Sequence, residues 1–339
     1  MVRELSFFDK VAFFLNLIIG VLLLLSCLAP YISVKTFLPL SFLGLVVPLI
    51  FIINIPFIIY WLFKKKLFFV LSLAAVLLTY FTFGSFYRIG SSSTSPLDED
   101  LSIMTYNTRN FYFKGRIKSE LTGNEIINFI IEQDPDIVCF QESSRIGLRQ
   151  LKNYPFKYIT PTTSQKSFQA IFSKYPIVGN GSLEFPETAN NALYADIKYL
   201  GDTIRIYNLH LQSYKIRPSS VRNVRRAVRA YNKMRKAFVK QEEQVQIFDR
   251  HRKESPFRTI VCADFNNTPF SNVYRIAKGE MQDTFEEKGT GFGKTFDLKV
   301  VPFRIDLILA DKSMKVMTHQ NFDLRLSDHY PVLTSIRLR

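Results

Sequence analysis

Three stretches within the first 88 residues carry no charged side chain: Val11 to Pro30 (20 residues), Thr36 to Phe63 (28) and Leu67 to Tyr87 (21). At about 1.5 Å of helix rise per residue, each is long enough to cross a hydrocarbon layer of about 30 Å. Core helices of soluble domains rarely sustain such runs, so three transmembrane helices are expected. Pro48 and Pro56 fall inside the second run and predict a kink or a break there. Tyr60 and Trp61 mark an interface end beside Lys64-Lys65-Lys66, and a basic loop of this kind stays cytoplasmic. Arg3 and Lys10 fall on the same side, so three crossings place everything after Arg88 outside the cytoplasm. A cleaved signal fits poorly, because the first run is long and two more follow. None of the runs has an acid or base in its interior, which argues against a transport pathway.

The expected organisation is an anchor over residues 1–88, a linker over 89–100 (IGSSSTSPLDED) and a folded domain over 101–339. Charge separates the parts further. Of the formal +15, residues 1–96 carry +5 and residues 97–339 carry +10. Lys215 to Lys240 holds ten basic residues and no acid, so the rest of the domain is balanced and not a general nucleic-acid binder by charge. That stretch opens an expected helix from Ser219 to about Arg250, capped by Ser219 or Ser220. Val221, Val224, Val228, Tyr231 and Phe238 are spaced to form one apolar face, with Arg222, Arg225, Arg226, Arg229, Lys233, Arg235 and Lys236 around it. It is either a solvated outer helix or a contact surface for anionic lipid or nucleic acid, lipid being favoured by the nearby anchor. Three Cys exclude a disulfide scaffold; Cys139 and Cys262, each within an apolar strand, are expected as unpaired core residues, their strands being candidates for neighbours.

Beyond the linker, strand and helix patterns alternate, predicting an α/β layered domain. Strands are expected at 101–106, 136–140, 170–172, 195–199, 203–209, 259–262, 304–310 and 332–336, and a helix at 125–133. Polar residues cluster where these strands end: Asn107, Gln141-Glu142, His210, Asp264 with Asn266, and Ser327-Asp328-His329 before the last strand. Asp306 interrupts an apolar strand, and a buried carboxylate needs a partner. Taken singly, Asn107 reads equally as a turn residue, Glu142 as a helix-start acid and His210 as a core histidine. Together they form a polar site held by strands. Acids and amides without clustered Cys or His favour a hard cation, Mg²⁺ or Mn²⁺, and two His supply groups that change charge near neutral pH. The set fits hydrolysis of a phosphate ester by water. No nucleophile elbow is visible.

The motifs MTYN (Met104–Asn107), DIVCFQE (Asp136–Glu142), AIFSKYPI (Ala170–Ile177), NLHLQS (Asn208–Ser213), ADFN (Ala263–Asn266), RIDLIL (Arg304–Leu309) and SDHYPV (Ser327–Val332) occur in that order. In this the chain resembles the endonuclease/exonuclease/phosphatase superfamily over nearly the whole of residues 101–338. The resemblance implies a four-layer α/β sandwich with two central mixed sheets. It implies a metal held by Glu142, with Asn107 and Asp328 near it, and phosphate contacts from Asn107, Asn266 and His329. Catalytic roles fall to His210, Asp264, Asn266, Asp306 and His329: Asp306 orients His329, His210 matches the general acid of the DNase-like and sphingomyelinase-like branches, and Asp264 and His329 are both candidates for the base. Ala263 replaces the usual Gly and Thr108 the usual Val, and neither removes a ligand. Gly289 to Phe296 (GTGFGKTF) resembles the loop before the last catalytic strands; its three Gly either let backbone approach substrate or mark a plain flexible loop. The expected function is a membrane-tethered phosphodiesterase acting on nucleic acid, a phospholipid head group or a small phosphodiester, with no obligate protein partner. The alternative is a non-catalytic binding module on the same fold.

Overall fold

The computed structural model describes residues 5–83, 87–90, 97, 99–111, 119–215, 224–298 and 302–338. The chain divides into two compact units: Met1–Phe86 together with Asn267–Arg275, and Tyr87–Asn266 together with Ile276–Arg339.

The first unit is helical. Helices α1 (Phe7–Ser26), α2 (Leu38–Phe63) and α3 (Phe69–Phe83) pack around Leu23, Ile50 and Ala75. Ser6 caps α1 by accepting a hydrogen bond from the Asp9 amide (3.2 Å). A Cβ on Gly20 would lie 3.0 Å from Leu71, so α1 and α3 approach closely there. Two helices, not three, have the length and apolarity of a span. The third run yields 15 described helical residues, about 22 Å, short of a hydrocarbon core of about 30 Å. The expected break in α2 is absent: the helix runs through both Pro48 and Pro56. Pro48 has no N–H to offer the carbonyl four residues back, which is that of Gly44. Thr268 Oγ1 donates to that carbonyl instead (2.9 Å). Asn272 Nδ2 and Arg275 Nε both donate to the Pro30 carbonyl at 2.8 Å, and Phe270 packs on Val47, so residues 267–275 are built into the helical unit.

The second unit is α/β. Its strands are β1 (Leu101–Asn107), β2 (Ile137–Gln141), β3 (Phe156–Ile159), β4 (Ala170–Ser173), β5 (Ile177–Leu183), β6 (Asn191–Tyr199), β7 (Asp202–His210), β8 (Arg258–Asp264), β9 (Gln282–Asp283), β10 (Asp306–Ala310), β11 (Lys315–Asn321) and β12 (Val332–Arg337). They form two six-stranded sheets, ordered β11-β12-β1-β2-β4-β3 and β5-β6-β7-β8-β10-β9. Both are mixed: β1 and β2 run parallel, as do β7 and β8, and the remaining pairs are antiparallel. The sheets pack face to face through Ile103, Cys139 and Ile171 on one side and Ala195, Ile206, Cys262 and Ile308 on the other. Cys139 and Cys262 therefore meet across the sheet interface instead of on neighbouring strands, and both are free thiols. Helix α4 (Ser119–Gln133) covers the outer face of the first sheet through Ile126, Ile127 and Ile130. The long helix covers the second. It is described from Val224 to Lys253, the expected start at 219–223 lying outside the described residues. Its buried side holds Phe238, Val245 and Phe248, with Phe248 edge-on to Tyr207. The expected apolar face is only partly right. Phe238 is buried, but Val224, Val228 and Tyr231 stand 80%, 53% and 48% exposed.

Candidate active site

The parallel pairs bring the polar residues together. Side by side, β1 and β2 set Asn107 level with Gln141, and β7 and β8 set His210 level with Asp264. Antiparallel β10 sets Asp306 opposite Asp264. Asn107 Nδ2 donates to Asp264 Oδ2 (2.8 Å) and Gln141 Nε2 to Asn208 Oδ1 (2.8 Å), joining the two sheets at the site. Glu142 and Asn266 each follow a strand with φ of 43° and 47°, a left-handed turn that costs on the order of 1 kcal/mol for a side chain with a Cβ.

Two histidines flank Asp264. His329 Nδ1 donates to both Asp306 oxygens (3.0 and 2.9 Å), and its Nε2 lies 3.9 Å from Asp264 Oδ2. Asp264, Asp306 and His329 form one buried cluster. Burial alone would lower the His329 pKa, but the Asp306 and Asp264 carboxylates outweigh it and push it up to about 10. His210 Nε2 lies 3.5 Å from Glu142 Oε1 and 3.6 Å from Asp264 Oδ2, and neither of its ring nitrogens makes a hydrogen bond among the described residues. Burial lowers its pKa, against a smaller pull from Asp264. The Asp264 carboxyl is itself raised by burial, partly offset by His329.

The residues expected near a metal differ in the partners they already have. Asn107 spends its amide on Asp264 and accepts from the Arg109 amide (3.0 Å). Asp328 is paired with Arg109 (2.7 Å). Glu142 alone of the three keeps its carboxylate open, a third exposed. A group is nonetheless accommodated: the open Glu142 and the unpartnered His210 face Asp264, and two carboxylates at this point suit a hard cation. Asn266 orients its amide onto the Leu211 carbonyl (3.1 Å) while its own N–H donates to Asp264 Oδ1 (2.9 Å).

Several supporting residues went unread in the sequence. Arg109 lies two residues past Asn107, but its pairing with Asp328 is long-range. Thr295 Oγ1 accepts from the Ile305 and Asp306 amides (both 2.9 Å), and Phe296 lies edge-on to His329 with centroids 4.9 Å apart. Both belong to the GTGFGKTF segment, which thus supports Asp306 and His329. Of its glycines, Gly293 takes φ of +61° and lies against the Phe285 ring, where a side chain would collide. Ser327 Oγ donates to the Asn107 carbonyl (2.9 Å), fixing the SDH turn to β1.

A family profile described as Endonuclease/Exonuclease/phosphatase family matches residues 104–329. The chain belongs to the endonuclease/exonuclease/phosphatase family. A second profile, a domain of unknown function (DUF8431), matches residues 9–86. No curated protein matches the chain by sequence. Among solved structures, a family protein of Bacteroides vulgatus superposes with TM-score 0.56 at 19% identity, covering 71% of this chain and 99% of that one. TDP2 of D. rerio complexed with a single-strand DNA product gives 0.53 at 18%, covering 71% and 100%. A mannosyl-6-phosphatase of Bacteroides thetaiotaomicron gives 0.53 at 18%, covering 70% and 99%. At these identities the likeness establishes the shared α/β fold with two mixed sheets. Membership of this family supports a hydrolase acting on phosphate esters.

Proposed function

We propose that this chain is a membrane-tethered, divalent-metal-dependent phosphodiesterase. The observation that carries the reading is Asp264, buried between an imidazolium held by Asp306 and an unpartnered imidazole facing Glu142. Glu142 would hold the cation, which when bound would neutralise phosphate charge. His329, charged through neutral pH, contacts a phosphate oxygen. That assignment favours Asp264 as the base, since its raised pKa makes it a better proton acceptor. Water attacks phosphorus, Asp264 takes the water proton, and the bond to the leaving oxygen breaks. The imidazolium of His210, made more acidic by burial, gives its proton to that oxygen. Asn107 and Asn266 position the phosphate without adding negative charge.

Tethering is supported by the outward apolar surface of the helices: only 22% of the α1 window and 28% of the α2 window is buried, whereas a soluble core helix is mostly covered. Lys64 pairs with Asp9 (3.1 Å), so the start of α1 and the end of α2 share one side. With the basic loop cytoplasmic, and the 15-residue α3 as a short third crossing, the catalytic unit is extracytoplasmic. Exposed Val224, Val228 and Tyr231, interleaved with Arg225, Arg226 and Arg229, suit an anionic lipid surface.

The test is hydrolysis of bis(p-nitrophenyl) phosphate and of p-nitrophenyl phosphate by the full chain in detergent, with Mg²⁺, Mn²⁺ or EDTA. Diester cleavage that is abolished by EDTA and by Glu142→Gln is the expected result. Activity indifferent to both overturns the metal site. A folded chain inert on both esters points to the non-catalytic module.

A further inference from the structure

An open groove of ≈ 390 Å³ lies in the α/β unit beside the catalytic strands, and no role proposed above uses it. One wall is the helix, through Lys233, Lys236 and Lys240; the other is the segment after β7, through Gln212, Ser213 and Lys215. Four of these six residues are cationic. The one acid on the rim, Glu187, is 89% exposed and lies 4.0 Å from Lys240. The size is that of a small-ligand pocket, of about 300–1,000 Å³.

The groove is wired to the catalytic residues. Gln212 is two residues past His210, so their Cα atoms lie within about 7 Å of each other. Gln241, one turn along the helix from Ala237 in the groove wall, donates through Nε2 to the carbonyls of Gln212 (2.7 Å) and Asn266 (3.2 Å). Leu211, between His210 and Gln212, accepts from Asn266 Nδ2 and from Asn190 Nδ2 (2.9 Å). An anion seated among the lysines would therefore sit at a distance from the scissile phosphate set by this bonded framework.

We propose that the groove is a second anion subsite, which selects substrates carrying a further phosphate next to the phosphodiester that is cut. This rests on the phosphodiesterase reading and narrows it to substrates with at least two phosphates. Lysine suits such a role: a compact, mobile point charge accepts a phosphate without demanding one geometry. A nucleotide strand and a polyphosphorylated lipid head group share this chemistry.

The experiment uses the full chain in detergent and two substrates that differ by one phosphate: thymidine 5′-(p-nitrophenyl phosphate) and its 3′-phosphorylated form. The expected result is a kcat/KM at least tenfold higher for the 3′-phosphorylated substrate. Lys233→Gln/Lys236→Gln should erase that advantage through KM, with the plain substrate unchanged. Equal kcat/KM for both substrates in the wild type, or an advantage that survives in the double variant, overturns the subsite. Calorimetric titration of inorganic pyrophosphate in EDTA reads the groove apart from catalysis. If neither substrate is cleaved, the function proposed above fails, and the groove stands only if the double variant binds pyrophosphate at least tenfold more weakly than wild type. Competition by a (dT)₄ oligonucleotide or by phosphatidylcholine vesicles containing a phosphoinositide bisphosphate then distinguishes the two sources of the second phosphate.

Discussion

The corners of the site built by His329 and His210 are equally dry and differ in proton affinity. Both side chains are at least nine-tenths covered. One imidazole bonds a carboxylate through Nδ1 and has its pKa pushed up to about 10; the other has no hydrogen bond among the described residues and has its pKa lowered by burial. Burial pushes both toward the neutral form. What separates them is a single acid, Asp306, placed by β10. A pair of titratable groups whose surroundings drive them apart is how one pocket supplies both a fixed positive charge and a labile proton at one pH.

That contrast can be broken at its shared member first. Asp264→Asn removes the carboxylate that both rings face, and kcat should fall by about 10⁴ with the fold retained, as read by circular dichroism. Asp306→Asn should cost about 10²- to 10³-fold in kcat. The decisive readout is the His329 ring titration by NMR in the metal-free chain, which should drop from about 10 to near or below 6.5. A titration left near 10 would mean that Asp264, and not Asp306, holds the charge. His210→Gln should cost about 10²-fold in kcat while leaving the His329 titration in place.

The smallest effects are on stability, and they have opposite signs. His329 is raised on folding, so its contribution is complete below about pH 6.5 and is lost as pH rises through about 10. His210 is lowered, so its contribution is complete above about pH 6.5 and is lost as pH falls through its folded value. In EDTA, the melting temperature should therefore decline on both sides of neutrality. Asp306→Asn should flatten the alkaline limb and His210→Gln the acid limb. Either variant flattening the other's limb would reverse the assignment of charge.

Which elements were legible in the sequence follows from where they sit. The eight expected strands are the eight interior strands, whose apolar runs are covered on both faces. The four that escaped notice, β3, β5, β9 and β11, are the four sheet edges. An edge strand such as IVGNGSL in β5 mixes glycine and polar residues and has no continuous apolar signal. The site was readable because strand ends put its acids and histidines into recognisable motifs. Its supports were not, because Thr295 under Asp306 and Arg109 on Asp328 depend on contacts across more than ten residues of chain. The helix at 224–253 misled for a related reason: its spacing predicted a face, but Val224, Val228 and Tyr231 in its first turns stand exposed.

The proline at position 48 has a consequence for inheritance and engineering. Its missing donor leaves one carbonyl of α2 to be satisfied by Thr268, two residues beyond Asn266 of the candidate site. A segment recruited in this way ties the history of the two halves together. The helical unit cannot be exchanged for an unrelated one, nor shed by a protease, without stripping Thr268, Phe270 and Asn272 of their partners. Chimeras that keep the 267–275 segment with its own helices should tolerate splicing, and those that separate them should not.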